Sequence, residues 1–184
     1  MASFGHIAVG MAAGRLYVGP HASWRERVDA MVRLSVLSLL PDLDAVGFLF
    51  GVPYGAPFGH RGASHSLVAA LLLGAFAAVV TASAGGRWRR ALIIASLVAA
   101  SHGLLDTLTD GGRGVALLWP FDPHRFFAPW RPIPVAPIGS GMLSARGRDV
   151  VLWELAAFLP AWLYALTPRR EPPRVGSAPP ARTR

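Results

Sequence analysis

From Ser66 to Ala84 the chain runs for 19 residues without a charged side chain. At about 1.5 Å per helical residue, such a run nearly crosses a hydrocarbon layer of roughly 30 Å. In lipid the backbone must satisfy its own hydrogen bonds, so the run is expected to be a transmembrane helix. Companions are at hand. Ala91 to Thr109 is apolar apart from His102 and Asp106, and Val150 to Leu166 holds only Glu154 and a mid-helix Pro160. Leu34 to Phe50 carries Asp42 and Asp44 in its middle, and Ser3 to Val18 is a shorter, half-buried candidate. The chain is 53% hydrophobic and only 15% charged, where soluble domains carry about a quarter charged residues. The sequence therefore predicts an all-α fold, a polytopic membrane helical bundle. It would have four to five transmembrane helices and a long irregular loop before the last. Helices are expected at 3–18, 28–50, 65–84, 90–109 and 149–166. The 110–147 loop holds Trp119-Pro120-Phe121-Asp122-Pro123 and Pro132-Ile133-Pro134, which suit neither a helix nor a central strand.

The first segment lacks a basic n-region and is followed by arginines where a signal peptide has its cleavage site, so it reads as retained. Cysteine is absent, which excludes disulfides and thiolate metal sites. A net charge of +8 would suit nucleic acid, but its placement suits a membrane. All 18 basic residues are arginine, and 12 fall between Arg15 and Arg33, at Arg87, Arg89 and Arg90, or in the tail from Arg169. Those ends share one side if five segments alternate, and the other six arginines fall on the opposite side. The positive-inside rule then puts the C-terminus in the cytoplasm and the first residues outside. Residues 1–166 read as a single integral-membrane domain. Residues 167–184 read as a disordered Arg/Pro-rich cytoplasmic tail, composed to touch anionic lipid heads. No nucleic-acid partner is expected.

A charged group in hydrocarbon is rare and usually faces a partner, a cavity or an ion. Here three clusters are built from side-chain types that ligate metals. His102 and Asp106, four residues apart, share one helix face and can offer an imidazole and a carboxylate to one ion. The alternative is an ion pair between helices. Asp42 and Asp44, two residues apart, do not share a face of a regular helix. A kink at Pro41 would let both turn to one point, where a divalent ion would relieve their repulsion. The alternative is a cap on a short helix from Ala45. In the third cluster Ser64 is placed to cap the next helix, with His65 in its first turn and His60 close by. Helix N-termini favour anions, and Arg61 is a bidentate phosphate donor or, alternatively, a contact for lipid heads. His6 joins this set only through the wider pattern. In the alternating topology every one of these residues falls in the outer half of the bundle.

Phe4-Gly5-His6, Leu40-Pro41-Asp42-Leu43-Asp44, His60-Arg61-Gly62-Ala63-Ser64-His65-Ser66 and Ser101-His102-Gly103-Leu104-Leu105-Asp106 occur in order. Together with Trp119-Pro120-Phe121 and the stretch from Ile133 to Gly139, they resemble the YdjM-type family of inner-membrane metal-dependent hydrolases. The resemblance covers about residues 1–165. The ligand order is also similar to the helical zinc phospholipase C and P1 nuclease group. On that pattern His6, Asp44, His65, His102 and Asp106 would hold the metal. The later histidine and the His-x-x-x-Glu pair of that soluble group are missing, so one or two ions fit better than three. The resemblance implies a multi-pass protein of the inner (plasma) membrane that meets membrane lipids. It would hydrolyse a phosphoester of a lipid or lipid-linked substrate through metal-activated water. Zinc or manganese suits the mixed ligands. Asp42 or His60 would be the general base, and Arg61 would hold the substrate anion. Two alternatives remain. One is an ion- or proton-coupled transporter or binding protein using the same residues, for which five short helices without an inverted repeat leave little room. The other is a non-catalytic structural membrane protein whose polar residues pack helices.

Overall fold

Two helical hairpins and a bent terminal helix frame the molecule. The structure is a computed structural model that describes residue 1 and residues 3–168. The tail expected to be disordered lies, but for Thr167 and Pro168, outside the described residues. The first hairpin is α1 (Phe4–Val18) with α2 (Trp24–Leu39), and the second is α3 (Leu67–Ser83) with α4 (Trp88–Thr107). The chain closes with α5 (Ala145–Ala157) and α6 (Leu159–Leu166). The fold is all-α: among the described residues only two isolated bridges, Thr109 with Ile133 and Val115 with Phe126, interrupt the irregular loop.

Glycine sets the closeness of the first hairpin. A Cβ on Gly10 would fall 2.5 Å from the Ser35 Cα, and one on Gly14 would fall 2.5 Å from the Met31 Cα. Small residues one helical turn apart let two backbones approach in this way. α2 starts four residues before the expected position because Ser23 and Glu26 form a reciprocal capping box. It also ends early. The expected helix 28–50 breaks at Leu39, and Leu40–Phe50 is a 3-10 segment instead. Pro41 explains the break, because its ring clashes with the carbonyl four residues back and it has no N–H to donate. Gly51, at φ 73°, closes that segment in the left-handed region.

The last helix begins at Ala145 under a Ser144 cap, not at 149, and bends by 62° between α5 and α6, beside Pro160. Buried Arg15 of α1 donates to the carbonyls of Tyr164, Ala165 and Thr167 at the α6 C-terminus, where a cation complements the helix dipole. Buried Glu154 of α5 accepts from the Gly5 N–H at 3.0 Å.

Among the described residues, α4 is the one helix both long and apolar enough to cross a bilayer alone. α5 and α6 pass only as a bent pair, and α3, with 17 residues, is apolar but shorter. Helices α1 and α2 dock on α4, and α6 leans on α1. The bundle thus has a turn end, with both hairpin turns, and an opposite end where the polar clusters lie.

Candidate metal centre

Each polar residue is delivered by a different local device. His102 sits on α4 directly before Gly103. A Cβ at Gly103 would lie 2.4 Å from the His65 carbonyl oxygen, so the glycine lets the His65 backbone rest against α4. His65 lies in a 3-10 turn, Ala63–His65, ahead of α3. Ser66, not Ser64, caps α3, accepting from the Ala69 N–H. Ser64 instead turns its hydroxyl to Asp44 and to His65 Nδ1. Asp42 and Asp44 come from the 3-10 segment that follows α2.

The hydrogen bonds decide which ring nitrogens carry protons. His102 Nδ1 lies 2.6 Å from the Ser38 carbonyl oxygen. A carbonyl only accepts, so Nδ1 must donate, and Nε2 of the neutral ring is bare. His65 Nδ1 lies 3.1 Å from Asp44 Oδ2, again an acceptor. The two Nε2 atoms face each other at 3.0 Å. Asp42 Oδ1 stands 3.5 Å from His65 Nε2 and 3.3 Å from His102 Nε2, and Asp106 Oδ2 stands 3.6 Å from His65 Nε2. One atom from each of these four residues lies within 4.8 Å of all the others. Lone pairs and carboxylates so close repel unless a cation or a proton sits between them. A proton on His65 is one answer, and it leaves its mark. Burial alone would lower the His65 pKa, but its hydrogen bonds to Asp42 and Asp44 and the nearby Asp106 charge push it up to about 9.

Around this core, His6 stacks on His102 with ring centroids 3.7 Å apart. It is 1% exposed, and neither ring nitrogen has a hydrogen-bond partner. Its Nε2 is 3.7 Å from Asp106 Oδ1, an atom that also receives the Met1 amino group at 2.8 Å. On the other side, Asp44, His60 and His65 form a second close group, with His60 Nδ1 2.7 Å from Asp44 Oδ1. Asp42, with 26% of its side chain exposed, and His60, with 13%, mark the open side.

Residues 1–171 match the YdjM inner membrane protein family. The chain belongs to that family. This YdjM-family chain is also 43% identical over 135 residues to the inner membrane protein YbcI of Escherichia coli (strain K12), a match covering 70% of this chain and 76% of YbcI. No solved structure matches it. As a family member it is an inner membrane protein.

The structure brings His6, Asp42, Asp44, His60, His65, His102 and Asp106 into one polar cluster. Two placements differ from the sequence reading. Asp42, expected as a base, stands with the bare Nε2 atoms, whereas Asp44, expected as a ligand there, holds His65 and His60 from behind. Arg61, expected to hold a substrate anion, is 2% exposed and turned inward. Its NH1 donates to Thr109 Oγ1 at 2.7 Å and Gly111 O at 3.2 Å, and its Nε pairs with Asp106 Oδ2 at 3.0 Å. Ser38 and Gly103 have no role in the sequence reading, which gives Ser64 only the role of a helix cap. Gly103 carries a signal, by lying beside His102.

Proposed function

We propose that the chain is an integral membrane, divalent-metal-dependent hydrolase acting on a phosphoester of a lipid or lipid-linked substrate. The observation behind this reading is the pair of bare Nε2 atoms converging with two carboxylates. In this reading Asp42, His65, His102 and Asp106 hold one ion, and His6, stacked on His102, stands as a fifth donor. Two nitrogens and two oxygens suit zinc or manganese. Ser38 and Asp44 serve as the outer partners that fix the tautomer and ring orientation of such ligands.

When bound, the ion would lower the pKa of a water and polarise a phosphoryl oxygen. The chain supplies the remaining parts. His60 Nδ1 is occupied by Asp44, which leaves Nε2 bare to take a proton, and His60 lies on the open side of the cluster. Arg61 keeps Asp106 in place from within. The exposed Phe50, Phe58 and Phe121 belong to the connections around this end, and aromatic rings of this kind suit a bilayer surface from which a lipid can be drawn. The arginine distribution supports a reading in which the tail lies in the cytoplasm and the cluster at the outer leaflet of a bundle with four to five spans.

Elemental analysis of detergent-purified protein, paired with hydrolysis of bis(p-nitrophenyl) phosphate, tests the reading. About one equivalent of metal is expected. His102→Ala and Asp106→Ala should lose both metal and activity. His60→Ala should keep the metal and lose about 10²-fold in rate. A wild-type protein that holds no metal after purification or after incubation with zinc or manganese would remove the proposal.

A further inference from the structure

At the turn end, far from the metal cluster, the two hairpins leave a cleft. α2 and α3 form its walls and α4 lies behind it, with a cavity volume of about 630 Å³. His102 lies 14 residues along α4 from Trp88, or about 21 Å. The deeper wall is apolar: Leu34 and Leu37 of α2, Phe76 and Val80 of α3, and Ile94 of α4. The mouth is charged, with Arg33, Arg87 and Arg90 against Glu26 and Asp29. Both acids have partners, Asp29 in an ion pair with Arg33 at 2.9 Å and Glu26 in the Ser23 capping box. Arg90 donates to the Leu16 carbonyl, and the Arg87 guanidinium makes no hydrogen bond or ion pair among the described residues. Arg25 and Arg27 lie in the first turn of α2 and Arg89 in that of α4.

Two exposed tryptophans fix the level of this mouth. Trp24 opens α2 and Trp88 opens α4, 63% and 45% exposed. Tryptophan collects where hydrocarbon meets head groups. A cleft at that level, apolar inward and arginine-lined outward, in a member of an inner membrane family, matches the chemistry of a lipid with an anionic phosphate head.

We infer that this cleft is a binding site for one anionic phospholipid, with an acyl chain along Leu37, Phe76 and Ile94 and the phosphate at Arg87 and Arg90. The inference is independent of the metal cluster and of any hydrolytic activity. Arg87 supplies the open donor set, and Arg90, already tied to the first hairpin, would link the bound head group to both hairpins.

Native mass spectrometry of the full chain in detergent, with dioleoyl phosphatidylglycerol or dioleoyl phosphatidylcholine added, tests it. Phosphatidylglycerol should be retained at least tenfold better. Arg87→Ala/Arg90→Ala should bring the two lipids within about twofold of each other, and Arg87→Lys/Arg90→Lys should keep most of the preference. Ala77→Phe, which fills the cleft, should reduce retention of both lipids. Helix content by circular dichroism, read in parallel, reports that each variant is folded. Equal retention of both lipids by the wild type would overturn the inference, as would an unchanged preference in the folded alanine variant. So would displacement of the lipid by inorganic phosphate alone, which would make the site one for the free anion.

Discussion

Two imidazole nitrogens that have each given their proton duty to the far side of the ring leave lone pairs aimed at one point, and a proton or a metal must fill it. This makes occupancy pH-dependent with a definite sign. With the His65 pKa pushed up to about 9 in the metal-free protein, a proton competes with metal at every pH below that value. Metal affinity should fall by about tenfold for each pH unit from 8 to 6, as one proton is displaced per ion bound. Titration with zinc or manganese at several pH values measures the slope, and a flat profile would argue against His65 as a ligand. The two aspartates should separate in the same assay. Asp42→Ala should abolish metal binding, while Asp44→Asn should weaken it by about 10- to 100-fold, since it removes a partner of a ligand. The sequence showed that these carboxylates belong near the histidines. It could not show which one stands with the two Nε2 atoms, because the two-residue spacing has a definite meaning only once the backbone between them is known to be 3-10. Arg61 was misread for a related reason. An arginine beside two histidines looks available to a ligand until Thr109, Gly111 and Asp106 are seen to enclose it.

At the scale of elements, the boundaries moved where a local signal had been outweighed by apolar patterning. Ser23-Trp24-Arg25-Glu26 is a complete capping box in the sequence, yet its charges disguised the first turn of α2. Pro41 was recognised as a kink but is a full stop for the α-helix. Gly103 shows what single-sequence reading cannot weigh: a glycine inside a helix usually weakens it, and only the approach of another backbone gives it a purpose. Gly103→Val should push the His65 carbonyl away from α4 and lower metal affinity by at least tenfold. Helix content, measured by circular dichroism, should change little. A variant that binds metal as tightly as the parent would show that the close approach is dispensable.

For the whole molecule, the all-α class and the gathering of polar residues at one end were legible, because charge in an apolar run is costly enough to force convergence. The number of crossings was less so. α1 and α2, at 15 and 16 residues, are shorter than the sequence suggested, and α5 with α6 is bent. The arginine asymmetry predicts that a cysteine placed at Gly85 is labelled only from the cytoplasmic side. One placed at Ser140 should be labelled only from the opposite side. The absence of native cysteine makes maleimide labelling of right-side-out and inverted vesicles a clean readout, and labelling of both positions from one side would refute the alternating arrangement.

His6 comes from the first hairpin, His102 and Asp106 from the second, and Asp42 and His65 from the connection between them. Neither hairpin owns a usable set of donors when it enters the bilayer alone. Under the proposed function, an ion held by these residues would therefore act as a late clasp, gripping only after both halves had found each other, so that a cell short of metal would accumulate chains that are inserted but not locked.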